Sequence, residues 1–177
     1  MKCKEKNLIK LDQFIYRFLE KNCDVMPKRI CKMIAYFYTD ARVRKLYWKR
    51  LNVVMGEGTY SNIGMMAVNS DKTGIEIGKN VSIAPYVTFV AESDANNGKE
   101  IILLEDVKKI QKNEKIVVED DVWIGANVTI LPGIHIGRCA VIGAGSVVTK
   151  DVDEYSIWAG VPAKKLRDIS REEKGNE

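Results

Sequence analysis

Apolar residues recur every six positions through the second half of the chain. Two phases of this period, set two residues apart, hold small or apolar side chains. Their members are Val118, Val122, Ile124, Val128, Ile130, Ile134, Ile136, Ala140, Ile142, Ser146 and Val148. Neither an α-helix nor an alternating strand has a period of six over such a length. The pattern predicts a coil of short strands, in which each six-residue unit forms one side of a triangular prism and both apolar phases point inward.

The same period is present upstream and is then interrupted. Ile77, Ile83 and Phe89 follow it, but Phe89 lies 29 residues before the next member, one fewer than a multiple of six. The frame is therefore broken between the two runs. Residues from about 92 to 115, which are polar at both ends, are predicted to form a loop outside the prism, with a short helix near 103–110.

The first 51 residues carry a helical pattern instead. Apolar residues at helical spacing predict a first helix, Pro27 suits the first turn of a second, and Asp40 can cap a third. The apolar side of the first helix comprises Leu8, Leu11, Ile15, Phe18 and Leu19. The chain is therefore predicted to contain an N-terminal helical segment (1–51), a repeat region (52–163) and a C-terminal tail (164–177).

Composition narrows the class of protein. The chain has 177 residues, 46% of them hydrophobic and 29% charged, which suits one folded domain with a helical appendage. No apolar run reaches the roughly 18–20 residues of a membrane span, and charges interrupt the N-terminal run, so we expect a cytoplasmic protein without an integral membrane span. One histidine and four cysteines without CxxC spacing argue against a zinc site, and no metal is expected.

Positive charge is concentrated near the N-terminus. Residues 1–50 contain 14 Lys/Arg and 5 Asp/Glu, a net charge of +9, whereas residues 51–177 contain 14 and 19, a net charge of −5. Such a basic segment is compatible with nucleic acid or a membrane surface as a partner. Because no nucleic-acid-binding motif occurs and the basic residues follow helical patterns, we interpret them as a solvated helix face and expect no nucleic-acid partner.

The repeat region resembles a known family. The segments IEIGKNVSIAPYVTF, VVEDDVWIGANVTILPGIHIGRCAVIGAGSVVTKDV and AGVPAKKLR, within about residues 52–167, are similar to the hexapeptide-repeat acyltransferases. The most similar members are O-acetyltransferases of maltose, galactosides, nodulation factors and bacterial surface polysaccharides. The resemblance implies an all-β solenoid, a left-handed parallel β-helix, that forms a homotrimer with active sites between subunits. It also implies acetyl-CoA as the donor and, as the acceptor, a sugar hydroxyl of a surface glycan or its precursor.

The resemblance also assigns residues to CoA binding. Family members hold the CoA arm along the prism wall near a subunit interface, where small residues let it approach and cations suit its phosphates. The matching positions are Trp123, Ala126, Ala144, Thr149, Lys150, Lys164 and Arg167. An aromatic residue in an aliphatic repeat disturbs regular packing unless it faces something, so Trp123 is the member that coil geometry explains least.

The acceptor side departs from the family pattern. Family members place a histidine as general base just before the looped-out segment, whereas this chain has Asp94 there, with Glu92 nearby, as candidate bases. Such a carboxylate would need a pKa raised by burial to act efficiently near neutral pH. Asn62 and Asp71 resemble, after a shift of one or two residues, positions that hydrogen-bond the acceptor. The one histidine, His135, falls at an outward coil position, where surface or interface packing is expected.

The missing histidine leaves three functions open. The first is an O-acetyltransferase that uses a carboxylate as its base. The second is an N-acetyltransferase of an amino sugar, whose free amine needs less help from a base. The third is a trimeric CoA- or sugar-binding or scaffold protein that has lost catalysis. Because the donor segment is complete, the sequence favours an active acetyltransferase, and we predict the first of the three.

Overall fold

Helices occupy the N-terminal segment, as the sequence predicts. The computed structural model describes residues 2–95 and 97–170, and from residue 10 onward it also describes their side chains. The α-helices of this segment are α1 (Lys2–Lys21), α2 (Lys28–Phe37) and α3 (Ala41–Arg50). All three precede the first strand of the repeat region.

Two residues singled out in the sequence mark the starts of helices. Asp40 caps α3, because its side chain accepts a hydrogen bond from the Arg42 backbone N–H at 2.8 Å and pairs a donor that the helix leaves free. Pro27 directly precedes α2, one position before the first turn in which the sequence places it. Its carbonyl accepts a hydrogen bond from the Cys31 N–H at 3.0 Å, so the ring lies where its missing N–H costs nothing.

The apolar side of α1 is only partly packed. Leu11 and Phe18 are 54% and 51% exposed, whereas Tyr16 and Leu19 pack against the core. The predicted apolar stripe therefore faces solvent over much of its described length, and the side chain of its first member, Leu8, lies outside the described residues. None of the described helices combines the length and the apolarity that a membrane crossing requires.

Short strands make up most of the remaining chain. In chain order they are β1 (Val53–Met55), β2 (Met66–Val68), β3 (Ile75–Ile77), β4 (Ser82–Ile83), β5 (Thr88–Val90), β6 (Glu92–Ser93), β7 (Lys112–Asn113), β8 (Ile116–Val118), β9 (Trp123–Ile124), β10 (Thr129–Ile130), β11 (His135–Ile136), β12 (Val141–Ile142), β13 (Val147–Val148), β14 (Ser156–Gly160) and β15 (Ala163–Asp168). A further helix, α4 (Glu105–Ile110), lies between β6 and β7. Strands of two or three residues separated by turns are what a six-residue unit leaves room for.

The strands stack into three parallel sheets that the chain visits in turn. Sheet A contains β1, β3, β8 and β11, sheet B contains β4, β9, β12 and β14, and sheet C contains β2, β5, β10 and β13. The antiparallel strand β15 extends sheet B beyond β14. Since the strands from β3 to β5 and from β8 to β13 lie on sheets A, B and C in turn, the chain winds around a three-sided prism.

The two apolar phases of the repeat fill the interior of this prism. Every member of both phases from Val118 to Val148 is buried, as are Ile77, Ile83 and Phe89. The predicted inward orientation is therefore confirmed. Ser146 is the polar member of the set, and its hydroxyl donates a hydrogen bond to the Gly143 carbonyl at 2.6 Å. This bond offsets the cost of burying the hydroxyl, so the interior tolerates it.

The break in the repeat is a loop outside the coil, as predicted. The chain leaves sheet C after β5, returns to sheet A at β8, and pairs β6 with β7 at the base of the excursion. The helix α4 lies within residues 103–110, where a short helix is expected. Apolar side chains of this loop, including Leu103 and Ile110 at 68% and 72%, are strongly exposed. The single chain therefore leaves the outer part of the loop uncovered.

Helices α2 and α3 pack on the first coil. Arg44 of α3 is buried, and its guanidinium donates hydrogen bonds to the carbonyls of Tyr38, Thr39 and Ser61, the last of which belongs to the coil. The indole N–H of the buried Trp48 donates to the Ser61 hydroxyl at 3.1 Å. These bonds join the helical segment to the repeat region as parts of one packed core.

Candidate functional site

The coil places the sequence-predicted residues on two edges of the prism. The turns that lead from sheet B to sheet C form the B–C edge, and those that lead from sheet C to sheet A form the C–A edge. The B–C edge carries Asn62, Ala126 and Ala144. The C–A edge carries Asp71, Glu92, Asp94, Thr149 and Lys150. Residues expected to bind the donor are thus divided between two edges of one chain.

An exposed aromatic side chain lies next to the B–C edge. Trp123 of β9 is 60% exposed on the outer face of sheet B, between Ser82 of β4 and Val141 of β12 in register. A shallow groove of about 350 Å³ runs beside it, and Tyr60 and Asn62 also line this groove. Trp123, expected to contact the donor, and Asn62, expected to contact the acceptor, therefore share one groove. Contacts within the chain leave the indole ring available to a ligand.

Small residues keep the B–C edge open. Ala144 is exposed, and a side chain added at Gly145 would meet nothing within 4 Å. The N–H of Gly145 donates to the Ala126 carbonyl at 2.8 Å, so these two turns are stacked in consecutive coils. At Gly125, by contrast, an added Cβ would lie 2.6 Å from the backbone nitrogen of Ala144. The coil itself requires Gly125, whereas the space beside Gly145 is free.

Exposed cations lie on the C–A edge and on strand β15. Lys150 is exposed on the C–A edge, and Lys164 and Arg167 are exposed on β15, next to sheet B. None of these three makes an ion pair within residues 10–95 and 97–170. The neighbouring Lys165 differs, because its ammonium group pairs with Asp153 at 3.0 Å and with Asp168 at 2.7 Å. The cations that match the family's donor positions are therefore the ones left for an anionic ligand.

Glu92 is a hydrogen-bonded carboxylate rather than an isolated one. The Thr73 hydroxyl donates a hydrogen bond to it, and the hydroxyls of Ser70 and Thr73 hold its pKa below the usual value. A carboxylate in this state stays ionised at neutral pH and accepts a further proton less readily. The raised pKa that an efficient carboxylate base needs is therefore not found at Glu92.

Asp94 lies in a different environment at the base of the loop. It is exposed, and both of its carboxylate oxygens accept from the Asn113 amide, at 2.9 and 3.0 Å. One neutral donor orients the carboxylate and leaves most of its lone pairs available. Of the two candidate bases, Asp94 is the one whose carboxylate is exposed at the C–A edge.

The remaining sequence-predicted polar residues have partners within the chain. Asp71 forms an ion pair with Lys28 of α2 at 2.8 Å, and this pair lowers the pKa of the exposed Asp71 carboxyl. The Asn62 side-chain oxygen accepts from the adjacent Ile63 N–H at 3.2 Å. His135 lies on the outer face of sheet A, where its Nε2 is 3.0 Å from a Glu119 carboxylate oxygen. His135 is therefore on neither of the two edges.

One cavity contains residues that the sequence analysis missed. It lies between α2, α3 and the turn after β2, has a volume of about 230 Å³, and is called here the helix–coil cavity. Its lining residues are Lys28, Lys32, Tyr36, Trp48, Arg50, Leu51, Ala67, Asn69, Ser70 and Asp71. Of these residues the sequence singles out Asp71 alone, and no motif marks the others, because the docking of α2 and α3 on the coil brings them together.

The repeat region is similar in sequence to known proteins. Residues 115–150 match the family described as bacterial transferase hexapeptide (six repeats). The galactoside O-acetyltransferase of Lactococcus lactis is 37% identical over 121 residues, which are 67% of this chain and 54% of that protein. The chain thus spans about half the length of the curated relatives that it matches.

Solved structures share the same architecture. The Vibrio cholerae hexapeptide-repeat acetyltransferase VCA0836, in complex with acetyl-CoA, has a TM-score of 0.65 at 26% identity, covering 81% of this chain and 86% of that chain. A galactoside acetyltransferase in complex with CoA has a TM-score of 0.63 at 25% identity, covering 81% of this chain and 79% of that chain.

Proposed function

From the resemblance to hexapeptide-repeat acetyltransferases, which the comparisons confirm, we propose that the protein transfers an acetyl group from acetyl-CoA to a sugar hydroxyl. The observation that supports this most is the groove in which the exposed Trp123 and Asn62 meet, on a coil like those of the CoA-bound relatives. The proposed acceptor is a bacterial surface polysaccharide or its precursor, and the proposed place of the reaction is the cytoplasm.

The residues in and around the groove fit a CoA molecule. The exposed Trp123 ring offers an apolar surface, and the open space beside Gly145 and Ala144 lets an extended chain approach the backbone. Lys164 and Arg167 supply unpaired positive charge for phosphate groups. Acetyl-CoA would supply an acetyl group activated as a thioester.

A homotrimer is part of the same proposal, together with the left-handed winding of the coil. Thr149 and Lys150 lie on the C–A edge, while Ala126 and Ala144 lie on the B–C edge, so one chain alone does not bring them together. Packing the C–A edge of one subunit near the B–C edge of the next would place both sets beside one cleft. The site would then be incomplete without the neighbouring copy.

The trimer has a direct test. Light scattering coupled to size exclusion should give three times the mass of one chain, because a trimer would cover apolar side chains such as Leu103 and Ile110 that the single chain exposes. A monomeric mass at micromolar concentration would contradict this prediction.

The proposed reaction is the transfer of the acetyl group from the thioester to an acceptor hydroxyl. The acceptor oxygen bonds to the thioester carbon, the carbon–sulfur bond breaks, and CoA leaves as a thiolate that then takes up the proton released by the hydroxyl. The hydroxyl must lose its proton as it attacks, and Asp94 is the proposed acceptor of that proton. Asn62 is proposed to orient the acceptor in the groove, and Glu92 to hold the turn through Ser70 and Thr73.

Two other functions remain candidates because the C–A edge, over its described residues, lacks a strong base. The structure places no histidine on the described parts of the C–A edge, and the pKa of Glu92 is lowered rather than raised. An amine acceptor would need no strong base, which favours N-acetylation of an amino sugar. A protein that binds CoA or sugars without turnover is the other candidate. Release of CoA thiol in the presence of neutral sugars, amino sugars or no sugar separates all three.

Trp123 provides the test of the donor groove. Acetyl-CoA at about 100 times its Kd should raise the Tm of the wild-type protein, since a ligand bound only by the folded state stabilises it by about 2.7 kcal/mol. Trp123→Ala should remove most of this shift, whereas His135→Ala, on sheet A, should keep it. An unchanged shift in Trp123→Ala would show that the donor binds elsewhere.

A further inference from the structure

The helix–coil cavity has an apolar inner wall and a cationic rim. Trp48, Ala67 and the half-buried Tyr36 form the inner part. The Tyr36 hydroxyl donates a hydrogen bond to the Ala67 carbonyl at 3.3 Å. Lys28 and Lys32 of α2 reach the cavity from one side, as Arg50 of α3 does from another. The polar groups that face its interior therefore come mainly from its rim.

The charges on this rim do not balance. Three cations, Lys28, Lys32 and Arg50, stand against one carboxylate, Asp71, so the cavity carries a net charge of +2. Asp71 pairs with Lys28 through both of its oxygens, at 2.8 and 2.9 Å. Among the residues whose side chains are described, no carboxylate pairs with Lys32 or Arg50. The rim thus offers two unpaired cations to a ligand.

Ser70 connects this cavity with the candidate bases. It lines the cavity, and its hydroxyl lies 3.5 Å from that of Thr73, which donates a hydrogen bond to Glu92. Glu92 belongs to β6, two residues before Asp94. A group bound in the cavity would therefore lie beside the part of the C–A edge to which we assign the acceptor.

On the basis of the proposed function, we infer that the acceptor is an acidic sugar whose carboxylate or phosphate binds in the helix–coil cavity through Lys32 and Arg50. Charge-assisted hydrogen bonds from ammonium and guanidinium groups are the interactions that recognise such anions. The volume of about 230 Å³ is below the roughly 300–1,000 Å³ of pockets that hold whole small ligands. The cavity therefore suits an anionic substituent of a glycan whose remaining part lies outside it.

The test compares matched acceptors with acetyl-CoA and the full chain. Methyl glucuronoside and methyl glucoside 6-phosphate carry an anionic group at C6, where the neutral methyl glucoside carries a hydroxyl, and all three sugars share the acceptor hydroxyls at C2, C3 and C4. At least one acidic sugar should have a kcat/KM about tenfold or more above that of the neutral sugar. Comparing the two acidic sugars shows whether the cavity prefers a carboxylate or a phosphate. Lys32→Glu and Arg50→Glu should each lower this value about 10–100-fold, mainly through KM, because each replaces a charge-assisted bond with repulsion. Lys21→Glu, an equal charge change at the exposed end of α1, should alter it less than about twofold.

Binding measurements keep this inference separate from the proposed function. Titration calorimetry with the same three sugars, without acetyl-CoA, should show tighter binding of an acidic sugar to the wild-type protein and loss of this preference in Lys32→Glu. Equal affinity for acidic and neutral sugars, or a preference that Lys32→Glu and Arg50→Glu leave intact, would overturn the inference. If no sugar is acetylated while the charge-dependent binding is present, the proposed function fails and the anion site stands.

Discussion

Asp94→Asn should lower the turnover of a hydroxyl acceptor by about 10²–10⁴-fold, the range expected when a general base is lost. The substitution keeps the size of the side chain and its contact with Asn113, but the amide cannot accept the proton of the attacking hydroxyl. The affinity for acetyl-CoA should be nearly unchanged, because the groove beside Trp123 lies on the outer face of sheet B. Steady-state kinetics and the acetyl-CoA-dependent rise in Tm measure the two effects separately.

Glu92→Gln is the matched control for this prediction. The Glu92 carboxylate is engaged by Ser70 and Thr73, which hold its pKa low, so its loss as a base should cost less than about tenfold. His135→Ala should also have little effect. Asp94→His is expected to retain or raise activity, since an imidazole has a pKa near neutrality. If Glu92→Gln or His135→Ala abolishes turnover while Asp94→Asn is harmless, the assignment of the base is wrong.

Arg44→Met should lower the free energy of unfolding by about 3–4 kcal/mol. The guanidinium is buried and donates to three carbonyls, those of Tyr38, Thr39 and Ser61. Methionine fills a similar volume but donates no hydrogen bond, and each buried acceptor left unpaired costs about 1 kcal/mol or more. Urea unfolding at a single protein concentration measures the change, since the stability of an oligomer depends on concentration.

Lys49→Met, an exposed position on the same helix, is the control for Arg44 and should change stability by less than about 0.5 kcal/mol. Arg44→Lys should be intermediate, because one ammonium group cannot reach all three carbonyls with the geometry of a guanidinium. A loss below about 1 kcal/mol in Arg44→Met would show that α3 contributes little to the first coil.

The coil was predictable because one local rule generates it. A residue's place in the six-residue unit decides whether its side chain points inward, so Val118 through Val148 could be assigned without knowledge of distant contacts. The loop and the helix within it followed from the break in the same period. The cap at Asp40 was predictable for the same reason, because the contact joins the Asp40 side chain to a backbone N–H only two residues along the chain.

The features that the sequence did not predict depend on contacts between distant segments. Ser70 and Thr73 lower the pKa of Glu92 from about 20 positions away in the chain. Lys28 reaches Asp71 only because α2 packs near the turn after β2. The side of α1 that faces solvent was likewise undetermined, because apolar spacing shows that a helix has a stripe but does not show what covers it.

The central claim, that this chain acetylates a sugar hydroxyl, is tested most directly by following the acetyl group itself. The protein is incubated with acetyl-CoA labelled in its acetyl group and with the neutral, acidic and amino sugars, and the products are identified by mass spectrometry and NMR. We predict that the label appears on a sugar oxygen as an ester that mild alkali removes. Label found on a sugar nitrogen, or label that stays on CoA with every sugar although acetyl-CoA binds, would contradict the account.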